Sequence, residues 1–281
     1  MTIAAGFVAN DGVVLCTDSL YSGGIKVHGK KIFPMQLDGG AVAFALAGHE
    51  PFAKRAIEEC FAFLGQNPDS QRSVRGIKTL VEAALKRFHE EFVFTRPVGE
   101  RESVWFNLLV AIASLSEPPC LFASHETVLI PVPEHECFGV GYYVGHHVIE
   151  TAYSRRMAVD DAVVLAIHAV AVAKEYVEGV GGQTQLLWIR NGTVSPFHPI
   201  NSAIYTENYV MSFDRRSAEL LFHTANPKLD EEEFQRHVDR FVSLTKMMRK
   251  YWREGFENQS VLQMLMHQGD QPGPEPPKRG P

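Results

Sequence analysis

The chain has 281 residues, 45 % of them hydrophobic and 21 % charged, with a formal net charge of −6. That balance excludes a disordered polymer, and a mildly acidic chain without a long basic run argues against nucleic acid or an anionic membrane as partner. At roughly 150 residues per domain it allows one large domain or two ordinary ones.

The first 48 residues read as strands and tight turns. TIAAGFVAN and GVVLCTD are apolar, β-capable runs joined at Asn10-Asp11-Gly12, a hairpin signal. KKIFPM follows, then Asp38-Gly39-Gly40, then AVAFALAG. These runs alternate only weakly, which predicts a sheet covered on both faces. The start has no basic region before its apolar run, so no secretory signal is expected and the mature chain is expected to begin here.

From Glu50 the period changes to that of a helix, with Phe52, Ala56, Cys60 and Phe63 on one side and Gly65 as a stop. A second stripe runs Val74, Ile77, Val81, Leu85, Phe88 and Phe92, with Ser70 and Ser73 as candidate caps. Strands return in VWFNLLVAIA, CLFAS, TVLIPV and CFGVG. Helices are predicted over Tyr142–Ser154 and Met157–Val177, broken by Gly179 to Gly182. A last hairpin, QTQLLWIRNG with TVSPFHPI, turns at Asn191-Gly192, the strongest type I′ signal in the chain. The order strands, two helices, strands, two helices, strands is α+β.

The C-terminal part has a different character. Asn226-Pro227 punctuates it, and Asp230 with Glu233 forms a capping-box-like start. Phe234, Val238, Phe241, Thr245, Met248 and Trp252 follow in a short heptad-like seam, either packed on its own domain or offered to another subunit. The expected division is a domain over 1–204, a helical extension over 205–268, and a disordered Pro/Gly-rich tail over 269–281.

The chemistry is sought first at Thr2. If Met1 is removed, this residue carries both a hydroxyl and a free α-amine, whose unperturbed pKa near ~7.7–8.0 suits a base at neutral pH. Asp18 ends the second apolar run and Lys31 opens the third. Antiparallel pairing of the first two runs returns Asp18 towards the chain start, where it could hold the Lys31 ammonium beside Thr2. Gly48 ends AVAFALAG just before a helix, where a backbone N–H can act as oxyanion donor.

Together TIAAGFVANDGVVLCTDS, GKKIF and AVAFALAGHE resemble the N-terminal half of proteasome β-type subunits, nearest to the bacterial proteasome-like proteases. The looser likeness extends over about residues 2 to 195. It implies a four-layer αββα sandwich, the Ntn-hydrolase fold, and a threonine-type endopeptidase. By the resemblance Thr2 is the nucleophile, Asp18 and Lys31 its supports (Lys30 being the competing alignment), and Gly48 the oxyanion donor. Ser22 and Leu46 would touch substrate, Leu46 near an apolar S1 pocket. A homo-oligomeric ring in the cytoplasm is implied, with peptides or unfolded proteins as substrates and room for an ATPase unfoldase. Departures are Val140, Val177 and Val180, which stand where the family has supporting Ser and Asp residues, and Leu20 after Ser19. They keep two alternatives open: an inactive ring or scaffold subunit, and an amidohydrolase for a small amide.

No cofactor or metal is expected. Cys16, Cys60, Cys120 and Cys137 have no CxxC spacing and read as buried thiols, with Cys16 a fallback nucleophile. His125, His135, His146 and His147 show no metal-type spacing with acidic partners. His49 reads as a helix-start residue.

Overall fold

A computed structural model describes residues 2–23, 25–196 and 200–269, with the backbone alone at 22–23, 25, 195–196, 200–202, 204–205 and 255–269. The predicted tail beyond 269 lies outside the described residues. The chain divides into two compact units, Met1–Met211 and Ser212–Pro281.

The first unit is a mixed α/β body in which every recorded strand pairing is antiparallel. Strands β1 (Ala4–Ala9) and β2 (Gly12–Thr17) form the predicted first hairpin. A small hairpin of β3 (Leu20–Gly23) and β4 (Ile25–His28) follows, which the sequence did not announce. Next come β5 (Ile32–Leu37), β6 (Gly40–Gly48) and the helices α1 (Glu50–Gln66) and α2 (Val74–Phe88). A π-helical turn over His89–Val93 and a short α3 (Val98–Arg101) lead to β7 (Phe106–Ser114), β8 (Cys120–His125), β9 (Val128–Val132) and β10 (His135–Phe138). The unit continues with α4 (Tyr142–Ala152), α5 (Val159–Tyr176), β11 (Gln185–Arg190) and β12 (Thr193–Pro196). One sheet has the order β10-β1-β2-β11-β12, and another β5-β6-β7-β8-β9.

Local chemistry explains the joints. Asn191 and Gly192 both take positive φ, as a type I′ turn requires. Asp11, at the tip of the first hairpin, accepts a 2.8 Å hydrogen bond from Val159 N and so caps α5. Ser73 caps α2 by accepting from Gly76 N at 3.0 Å.

Burial on both faces of each sheet follows from the period of two. In β2, Val13 and Leu15 join Ala43, Ala45, Leu109 and Ala111 in a cluster between the two large sheets. Cys16, on the opposite face, reaches the Ala166 carbonyl of α5. In β6, Val42, Phe44 and Leu46 enter a second cluster with Ile57, Cys60, Ile77 and Leu85 of α1 and α2. Burying one such side chain contributes about 1.5–3 kcal/mol, so these two apolar layers hold the unit together. Small residues on the inner face, Ala41, Ala43, Ala45 and Ala47, let the sheets approach.

Two helices occupy the region read as a helical extension: α6 (Ile200–Thr224), whose bounds no sequence signal marked, and α7 (Glu231–Gly269). Asp230 accepts from Glu233 N at 2.8 Å, which realises half of the capping box. Within the second unit the predicted seam packs on its own neighbour: Phe241 meets Phe213 with ring centroids 5.0 Å apart, and His237 stacks on His223 at 3.7 Å. No described helix is long and apolar enough to cross a membrane.

Candidate active site

Register brings the first three site residues together. Ala4 pairs with Thr17, so Asp18 lies beside the residues that precede β1. Asp18 N donates to Ile3 O at 3.3 Å and closes that end of the hairpin. Lys31 enters from the start of β5, where its carbonyl accepts from Leu46 N at 3.0 Å. Its own amide donates to Gln185 Oε1 at 2.8 Å, while Gln185 Nε2 donates to Gly29 O at 2.7 Å. Lys31 is thus pinned from both sheets. Lys30, the competing alignment, points elsewhere, with its ammonium 5.3 Å from the Phe33 ring centre.

The three polar groups form one closed network. Lys31 Nζ donates to Thr2 Oγ1, to Asp18 Oδ1 at 2.7 Å and to Leu20 O at 2.6 Å. An ammonium has three N–H donors, and all three are used. Thr2 Oγ1 donates in turn to Asp18 Oδ1. Asp18 also accepts from Ile3 N at 3.1 Å, Leu20 N at 3.2 Å and Gly181 N at 3.1 Å. Thr2 is 3 % exposed, and Asp18 and Lys31 are fully buried. Such burial lowers the Lys31 pKa from its ordinary value, and the neighbouring Asp18 opposes that shift. The Tyr21 ring lies over the same ammonium at 4.8 Å and adds a cation–π contact.

Thr2 borders a cleft of about 500 Å³ with Gly48, Trp105, Phe138, Val140 and Tyr143 along its walls. Gly139 lets the turn approach the threonine backbone closely. Its φ is +97°, and a Cβ there would come within 2.1 Å of Thr2 O. Gly141 N donates to the same carbonyl at 3.3 Å. Gly48 has φ +104°, and a Cβ on it would meet Trp105 O at 2.6 Å. His49 N is bonded to Trp105 O, so the alternation of the ladder turns the Gly48 N–H away from β7. On that flank β5 has already ended, its last pair being Ile32 with Ala45.

The remaining predicted residues separate. Leu46 is fully buried in the cluster against α1 and α2, while its neighbours Ala47 and Gly48 reach the cleft. The backbone of Ser22 is in β3, and its side chain lies outside the described residues. Cys16 is fully buried and its thiol pKa is pushed far up by desolvation, so it has no thiolate character. His49 packs edge-on against Phe52 and is not on the cleft wall. Sequence reasoning missed the Gly181 amide, the Gly139 cradle and the Gln185 strap. The Gly139-Val140-Gly141 turn and the Gly-Gly pair at 181–182 were visible as glycine signals, but nothing pointed to Gln185.

Solved structures that align with this architecture include Anbu proteins. Anbu from Yersinia bercovieri, described as an ancestral beta-subunit, matches with TM-score 0.65 at 12 % identity, over 82 % of this chain and 99 % of that one. The fold here is proteasome-like and shared with Anbu. The Gly-1 mutant of Anbu from Hyphomicrobium sp. strain MC1 matches with TM-score 0.65 at 14 % identity, over 79 % of this chain and 99 % of that one. The helical assembly of the Anbu complex from Pseudomonas aeruginosa matches with TM-score 0.66 at 13 % identity, over 82 % and 99 %. No family model and no curated protein matches the chain. These neighbours correct the resemblance read from the sequence. It pointed to proteasome β-type subunits and bacterial proteasome-like proteases, whereas the neighbours named above are Anbu proteins, a distinct proteasome-like family. The error has a physical source: an order of paired strands and long helices describes a fold, and a fold does not separate the families built on it.

Proposed function

We propose that the chain is a threonine-type peptidase built on a four-layer αββα sandwich, with Thr2 as nucleophile once Met1 has been removed. The observation that carries this reading is the buried contact of Lys31 Nζ and Asp18 with Thr2 Oγ1 at the floor of the cleft. The α-amine freed on Thr2 takes the hydroxyl proton as Oγ attacks a peptide carbonyl. The Lys31 ammonium faces the developing alkoxide and stabilises it. The Gly48 N–H receives the oxyanion, and the ammonium of Thr2 returns its proton to the leaving amine. Water then releases the acyl group as the carboxylic acid and restores the hydroxyl. Trp105, Phe138, Val140 and Tyr143 favour apolar substrate side chains. We further propose a domain over 1–204 followed by a helical extension, assembly into a homo-oligomer, a cytoplasmic location, and unfolded polypeptide as substrate, with or without an ATPase unfoldase; the helical assembly of the P. aeruginosa Anbu complex supports self-assembly.

The second reading is a scaffold subunit of the same fold. It is favoured by Val140, which is 44 % exposed on the cleft wall and offers no polar group there. One experiment separates the two. Wild type and Thr2→Ala are compared by intact mass, by labelling with an electrophile directed at N-terminal threonine, and by cleavage of fluorogenic peptides. The peptidase reading expects loss of Met1, a single label on wild type, and a fall in hydrolysis of at least ~10³-fold in the variant. Equal hydrolysis by both proteins rejects Thr2 as nucleophile. A retained Met1 or an acetylated Thr2, with no label, selects the scaffold.

A further inference from the structure

On the outer edge of the first sheet, three metal-ligating side chains converge that neighbour each other only in space. His135 stands at the start of β10, and His146 and Glu150 lie one turn apart on α4. Their donor atoms all fall within 4.8 Å of one another. Glu150 Oε1 is 3.3 Å from His135 Nε2 and 3.5 Å from His146 Nε2. A charge-assisted hydrogen bond between such groups closes to roughly 2.7–2.9 Å. The observed separations are longer, and they match a different geometry. A tetrahedral ion with ligand bonds of about 2.0–2.1 Å has ligand-to-ligand edges of roughly 3.3–3.4 Å.

We propose that His135, His146 and Glu150 form a binding site for one transition-metal dication, Zn²⁺ by the chemistry of its donors, clamping the β10–α4 corner. Two imidazoles and one carboxylate suit zinc, whereas calcium and magnesium call for more oxygens. The fourth position faces outward, since Glu150 is exposed, and water can fill it. Both imidazoles present Nε2, and their Nδ1 atoms are buried without a hydrogen-bond partner among the described residues. Ring contacts orient them instead. Tyr153 meets the His135 ring edge-on at 4.8 Å, and Tyr142 stacks on His146 at 5.1 Å. With no outer carboxylate or carbonyl on Nδ1, affinity in the micromolar range is expected rather than the tighter binding of fully supported sites. The clamp has a consequence inside the fold. The turn that it braces contains Gly139, which lies close against Thr2 O, and Gly141, which donates to it, and Tyr142 itself borders the cleft.

The test uses the full chain, stripped with chelator and titrated with Zn²⁺ alone by calorimetry, with metal content measured after dialysis. One zinc per chain is expected. His146→Ala and Glu150→Ala alter half-exposed or exposed side chains, so both variants should fold and melt as wild type does without metal. Each should bind zinc at least tenfold more weakly. Failure of wild type to bind zinc at micromolar metal overturns the site. So does equal binding by the variants, which would place the metal elsewhere on the chain. The result does not depend on peptidase activity.

Discussion

Asp18→Ala should destabilise the first unit more than Lys31→Met, although the two residues form one ion pair. Breaking a buried pair from one side typically costs about 3–5 kcal/mol, because the remaining charge is stranded. What each substitution strands is unequal. Without Lys31, the Asp18 carboxylate still accepts from Ile3 N, Leu20 N, Gly181 N and the Thr2 hydroxyl. Without Asp18, the Ile3 and Gly181 amides lose their acceptor beside a fully buried position, Leu20 N falls back on Gly181 O at 3.1 Å, and Lys31 keeps only Leu20 O and Thr2 Oγ1. Asp18→Ala therefore belongs at the upper end of the range and Lys31→Met at the lower. At roughly 2–4 °C per kcal/mol for a unit of this size, the first should melt about 10–20 °C below wild type. Thermal melts of the three proteins decide it, and an equal or reversed order contradicts the network as drawn.

The same pair gives a pH signature with a definite sign. Burial, the largest influence on Lys31, lowers its folded pKa below 10.5, against the opposing pull of Asp18. Between the folded value and 10.5 the unfolded chain then binds more protons than the native one, so the wild-type contribution rises with pH in that window. Cys16, Cys60, Cys137 and Tyr21 act in the opposite direction at alkaline pH, because burial raises their pKa values. They are common to both proteins and cancel in a comparison. Urea melts of wild type and Lys31→Met should show a stability gap that widens as pH rises towards about 10. A gap that narrows would mean that Asp18 outweighs burial.

How much of this was legible depended on whether the signal was local. The hairpins at Asn10-Asp11-Gly12 and Asn191-Gly192 were readable because turn residues announce their own backbone. The convergence of Thr2, Asp18 and Lys31 was readable because antiparallel pairing of two adjacent runs fixes where the second must end. The β3–β4 hairpin is too short for any period, and α6 opens through the polar mixture Asn201-Ser202 and Thr206-Glu207-Asn208, which hides its apolar face. Leu46 shows the cost of one step along a strand: its side chain joins the helix-side core while Ala47 and Gly48 border the cleft. The amide of Gly181 carries no side chain and so leaves no residue-type signal. The His135 cluster needed the strand-to-helix corner, which brings β10 back against α4. Pairing His135 with His125, or His146 with His147, followed the sequence and missed the space.

Gly139→Ala should abolish labelling of Thr2 while leaving all three polar side chains of the site unchanged. Two penalties coincide at this position. The backbone φ of +97° is outside the region that an L-residue with a Cβ adopts readily, which costs roughly 1–2 kcal/mol. The added methyl would also lie 2.1 Å from Thr2 O and 2.8 Å from Thr2 C, and backbone cannot swing aside as a flexible side-chain end can. Relief requires that Thr2 retreat or that the β10–α4 turn open, adding about 1–3 kcal/mol of overpacking strain. A retreat of even ~1 Å takes Oγ1 out of reach of Lys31 and Asp18, and misplacement on that scale can lower a reaction rate about 10²-fold. The expected result is a folded protein with a lowered melting temperature and at least that loss of labelling rate. Val140→Ala is the matched control. It removes two methyl groups from an exposed cleft-wall side chain on the same turn, so it trims contact with the electrophile without moving Thr2 and should lose far less labelling than Gly139→Ala. Full labelling of Gly139→Ala would show that the turn does not seat Thr2, whereas equal loss in both variants would place the effect in the cleft wall and not in the position of the threonine backbone.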